Sequence, residues 1–116
     1  MSNQDEFYSP LAAVLQGEME GTVIDRDEKQ RFAIIESLEQ EAALHWLAIP
    51  FESGQSTEEL EQSDPERFVN LIEYAINTTR DKMNGYPDLA HGFTIKIHFG
   101  AYETVPHAKL HILSTE

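Results

Sequence analysis

Apolar and polar residues alternate with period two in the last quarter of the chain. Over residues 93–99, Phe93, Ile95, Ile97 and Phe99 interleave with Thr94, Lys96 and His98. Successive side chains of a strand point to opposite faces, so this pattern predicts a half-buried strand with one apolar and one polar face. Residues 106–113 repeat it, with Ala108, Leu110 and Ile112 on one face and His107, Lys109 and His111 on the other. Between residues 65 and 83 the period changes. Phe68, Leu71, Ile72, Ala75, Ile76, Thr79 and Met83 fall at helical spacing and predict one long amphipathic helix. Ser63 and Glu66 have capping-box spacing, and Pro65 suits the first turn. Earlier in the chain, residues 22–25, 31–37 and 44–50 read as strands, the first two joined by a charged turn. Residues 10–16 predict a short helix ending at Gly17, and residues 54–63 a polar loop with one helical turn near Thr57. The order β-β-β-α-β-β predicts an α+β fold: an antiparallel sheet of about five strands, one main helix and a short N-terminal helix. No repeat or linker divides residues 1–116, which predicts a single domain.

Composition narrows the partners. The chain has 116 residues, 41% of them hydrophobic, an ordinary globular balance large enough for a real core. Its 21 acidic residues against 8 basic ones give a formal charge of −13. A nucleic-acid backbone or an anionic membrane surface needs concentrated Lys and Arg, so neither is expected as a partner. The absence of cysteine removes disulfides, thiolate catalysis and cysteine-zinc sites. No run approaches a membrane span, and no basic segment followed by an apolar one opens the chain, so a cytoplasmic location is expected.

The candidate chemistry lies in the row His107, Lys109, His111. Two imidazoles flanking an ammonium can bind phosphate, transfer protons or hold a metal. A metal fits poorly. Lys109 would repel a cation, and histidines four residues apart on a strand stand about 13 Å apart at roughly 3.3 Å per residue. No metal and no cofactor are expected.

The segment His107-Ala108-Lys109-Leu110-His111-Ile112-Leu113 resembles the signature of the histidine triad (HIT) family, His-φ-His-φ-His-φ-φ, where φ is apolar. The resemblance continues upstream. Gly17-Glu18 and the acidic Asp27-Glu28 precede Phe32-Ala33-Ile34-Ile35-Glu36, similar to the family's Leu-Ala-Phe-x-Asp. His45 and Pro50 stand as in its Pro-x-x-His-φ-φ-φ-φ-Pro. Gly92-Phe93 opens the next strand, and the run from Gly100 to Thr104-Val105-Pro106-His107 resembles Gly-x-x-x-Ser-Val-Pro-His.

The resemblance implies a HIT-like fold, a nucleotide or small phosphorylated ligand and, as in many members, a homodimer. It places His107, Lys109 and His111 at the catalytic positions and Glu36, His45, His98 and Thr104 at ligand-binding ones. Glu36 takes the place of an aspartate that binds ribose hydroxyls, and His98 that of an asparagine. The family's nucleophile is the middle histidine, here Lys109. An ammonium has no lone pair, and the reference pKa of lysine is about 10.4. The expectation is therefore a catalytically degenerate protein that binds a nucleotide or another small phosphate, with Lys109 as a fixed cation. The alternatives are an active nucleotidyl hydrolase or transferase using Lys109 or a flanking histidine, and a structural interaction domain. Binding is expected to weaken as pH rises through the ordinary histidine range.

Overall fold

Five short strands build one antiparallel sheet in the order β1-β2-β3-β5-β4. The computed structural model describes residues 9–100 and 106–115. The elements are α1 (Pro10–Leu15), β1 (Val23–Asp27), β2 (Phe32–Glu36), β3 (His45–Pro50), α2 (Thr57–Ser63), α3 (Pro65–Lys82), β4 (Phe93–Lys96) and β5 (Leu110–Ser114). Two 3-10 turns, Met83–Gly85 and Pro87–Leu89, lead from α3 to β4. The predicted fold class is the observed one. Among the described residues, no helix is long and apolar enough to cross a membrane.

Local chemistry sets the boundaries. β1 and β2 form a hairpin whose turn is held by Asp27, its carboxylate accepting from the amides of Lys29 and Gln30. The capping box sits at Ser56 and Glu59, not at Ser63 and Glu66, and it starts a two-turn helix where a polar loop with one turn was expected. The main helix is capped by Asp64, whose carboxylate accepts from the Arg67 amide, and Pro65 follows at the first position as predicted. Both late strands are shorter than the alternation suggests: β4 stops at Lys96, and β5 starts only at Leu110.

The sheet has two unlike faces. Phe32, Ile34, Trp46, Ala48, Leu110 and Ile112 meet Phe68, Leu71, Tyr74 and Ala75 of α3 in the larger core. Full burial of a side chain such as Ile112 contributes about 2 kcal/mol. Tyr74, absent from the predicted stripe, joins it because its hydroxyl donates to Asp25 at 2.6 Å. Burial, and then that contact, push its phenol pKa up. On the other face a smaller cluster joins Ala33, Ile35, Leu47 and Ile49 to Leu11 and Val14 of α1. His111 pairs with Leu47 on one side and Lys96 on the other. Directly paired residues share a face, so beyond α1 and its cluster the β3-β5-β4 end of this second face carries His45, His111, Lys96 and Thr94 beside Leu113.

Candidate functional site

His45 opens β3, and its ring is buried. Its Nδ1 lies 3.1 Å from the amide nitrogen of Glu41. A backbone N–H can only donate, so in this contact Nδ1 accepts, which assigns the proton of the neutral ring to Nε2. Nε2 is 2.9 Å from His111 Nδ1 and donates to it. The neutral His111 ring therefore carries its own proton on Nε2. Three groups form one directed chain: Glu41 N–H to His45, and His45 N–H to His111. His98 stands edge-on to the His111 ring with centroids 4.9 Å apart. Burial pushes the His45 pKa down. Burial, helped by the neighbouring His45 and His98, pushes His111 down to about 4.

The loop that delivers the Glu41 amide is itself built by side chains. Ser37 Oγ accepts from the Glu39 amide and donates to its carbonyl. The Gln40 side-chain amide donates to the carbonyls of Ser37 and His45. The Glu41 carboxylate, pulled below the usual range by the Lys96 ammonium, accepts from Lys96 Nζ at 2.6 Å.

Lys109 precedes β5. Its neighbours Ala108 and Leu110 both lie in the larger core. Thr57, fully buried at the start of α2, fixes this point. Its hydroxyl accepts from the Lys109 amide at 3.1 Å and donates to the Lys109 carbonyl at 3.2 Å. Nearby, Gly54 N–H donates to the Pro106 carbonyl and Gly100 N–H to the Glu58 carboxylate.

The expectation for His107 needs correction. Residues 106–109 are not strand, so alternation does not set its direction. The ring is fully buried. Its Nε2 donates to the Pro50 carbonyl at 2.7 Å, and its Nδ1 accepts from the Ser9 hydroxyl at 2.6 Å. Ser9 Oγ also accepts from the Ala12 amide as the cap of α1. A ligand could reach His107 only by breaking this junction.

Glu36 is also misplaced by the sequence reading. It stands opposite Trp46, whose indole is in the larger core, so it lies on the helix side of the sheet. The next residue, Ser37, takes the His45 side, its amide donating to the His45 carbonyl. His45, His98 and His111 are brought together; Thr104 lies outside the described residues. Sequence reading missed Glu41, because what it offers His45 is a backbone amide, which side-chain patterns do not register.

Among the described residues, Glu41, His45 and His111 each offer one metal-ligand atom, all within 4.8 Å of one another. The wiring does not suit an ion. A metal on His45 Nε2 would require a proton on Nδ1, facing the Glu41 N–H, or an imidazolate. The Glu41 carboxylate is already held by Lys96.

No protein-family model matches the sequence, and no curated protein matches it either. Solved structures do resemble it. A histidine triad protein from Clostridium difficile superposes with a TM-score of 0.75 at 19% identity, covering 100% of this chain and 95% of that one. A HIT family hydrolase from Clostridium thermocellum gives 0.71 at 21%, covering 93% and 90%. A zinc-bound histidine triad family protein from Mycobacterium smegmatis gives 0.74 at 24%, covering 91% and 73%. At these identities the likeness speaks for architecture, and in architecture this chain has the fold of the histidine triad proteins.

Proposed function

We propose that this protein is a HIT-like protein that binds a nucleotide or another small phosphorylated ligand beside His111, His98 and Lys109, without nucleotidyl-histidine turnover. The observation that carries this reading is the direction of the imidazole chain. The His45 lone pair is taken by the Glu41 amide and that of His111 by His45. A nucleophile needs a lone pair aimed at phosphorus, and this wiring leaves His111 with a donor instead. The ammonium of Lys109, at the place where the resemblance puts the nucleophilic histidine, supplies charge to the phosphate. The HIT fold supports the same class of ligand. Glu36 is not part of the proposed site.

Titration calorimetry tests this with adenosine monophosphate and, for contrast, a single-stranded oligonucleotide. Binding of the monophosphate is expected, weakened about tenfold by Lys109→Ala, a loss typical of one charge-assisted hydrogen bond. A preference for the oligonucleotide at high salt would reject the ligand class. An adenosine phosphoramidate incubated with the protein should remain intact. Rapid hydrolysis abolished by Lys109→Ala would instead assign lysine chemistry to the site.

A further inference from the structure

The strand order gives the Glu41–Lys96 contact an unusual path. Glu41 lies in the loop before β3, and Lys96 ends β4, the edge strand on the far side of β5. Lys96 is the direct cross-strand neighbour of His111. The ion pair therefore straps across β5 at the level of the two imidazoles. A ligand atom of Glu41 and one of each ring lie within 4.8 Å of one another. Opposite charges thus act on the same two rings from two elements.

We propose that Glu41 and Lys96 form a positioning pair: the Glu41 amide directs the N–H groups of the His45–His111 chain one way, and Lys96 cancels the pull of the Glu41 carboxylate, so that burial keeps the chain uncharged. Glu41 acts twice. Its amide fixes the His45 tautomer, and its carboxylate favours a charged imidazole. Lys96 offsets the second action, because a cation beside the rings disfavours imidazolium. The other titratable group against the rings is His98, after β4, which stands edge-on to His111, while Glu39 meets His45 through its backbone. The remaining strand neighbours on this face are Ile35, Leu47, Leu113 and Thr94, none of them ionisable. This inference rests on reading the imidazole chain as part of the ligand site, but its test needs no ligand.

The test follows the ring signals of His45 and His111 by nuclear magnetic resonance during pH titration of the ligand-free protein. Lys96→Met leaves the carboxylate unopposed and should raise both titration midpoints by about half a pH unit, as expected for half-exposed charges a few ångströms away. Glu41→Gln leaves the ammonium unopposed and should lower them by about as much. Both shifts should shrink in 1 M salt. The double variant should return close to the wild type. Because Glu41→Gln retains the backbone N–H, ring nitrogen shifts at pH 7 should still report the proton of His45 on Nε2. Glu41→Asp should recover the wild-type midpoints. Shifts of the same sign in the two single variants, or no shift in either, would overturn the proposal. So would a His45 proton on Nδ1 in the wild type. Adenosine monophosphate binding is measured separately on the same variants. Its absence would refute the proposed function while leaving the outcome of the titration intact.

Discussion

Two histidine assemblies in this molecule use the same chemistry to opposite ends. At His107 both ring nitrogens are consumed inside the protein, by Ser9 and by the Pro50 carbonyl, and the ring is sealed. At His45 and His111 the hydrogen bonds run in series and stop at a half-buried ring with one N–H beyond the internal chain. A buried imidazole satisfied on both sides acts as a bolt. In this chain it joins the start of α1 to the end of β3 and the approach to β5. An imidazole satisfied on one side still has something to offer a ligand. The two differ by where the last proton points, not by residue type.

The contrast breaks most visibly at the bolt. His107→Ala removes a buried ring and leaves the Ser9 hydroxyl and the Pro50 carbonyl without their partner. A loss of about 3 kcal/mol is expected, read as a fall in Tm on the order of 10 °C. His111→Ala should cost clearly less, because that ring is only half-buried; an equal fall would erase the distinction.

Acid sharpens the same comparison. His111 titrates at about 4 in the folded protein against 6.5 for an ordinary histidine, with burial as the main cause. Between those values the unfolded chain binds a proton that the folded chain refuses. The stabilisation is complete above about pH 6.5 and is lost as pH falls towards 4. His45, also pushed down by burial, acts in the same direction. Thermal melts should therefore show Tm falling through this window in the wild type, with a shallower fall in His111→Asn. Ligand binding should gain no charge from these rings near neutral pH. Any weakening these two rings contribute thus lies below the ordinary histidine range. The smallest effect is at Ser9. Ser9→Ala removes the α1 cap and one partner of His107, a cost of about 1 kcal/mol in a denaturant titration.

The sequence foretold these regions unequally, for physical reasons. Alternation placed Ile95, Ile97, Leu110 and Ile112 on the helix side and His98 beside His111, because strand periodicity survives without knowledge of partners. It failed for His107, where Pro106 and the hydrogen bond from Gly54 to its carbonyl hold the chain out of the sheet. For Glu36 the expectation came from the resemblance alone, and its register opposite Trp46 puts it on the helix side. The helix at Thr57–Ser63 was hidden because its cap, Ser56 with Glu59, sits in a polar stretch with little apolar periodicity. The directed imidazole chain was beyond reach, since the donor that sets its direction is a main-chain amide.

The strand order has a consequence for how the site comes into being. β1, β2 and β3 follow one another along the chain and pair as neighbours, whereas β3 meets β5 through His45↔Leu113, across most of the remaining sequence. Short closures cost less chain entropy than long ones, so the meander is the cheaper part to assemble. Half of the imidazole chain belongs to the meander and half to the late strand. A nascent or partly opened molecule that keeps the first three strands still holds His45, but without His111 it has no relay. The proposed ligand recognition is thereby tied to completion of the sheet.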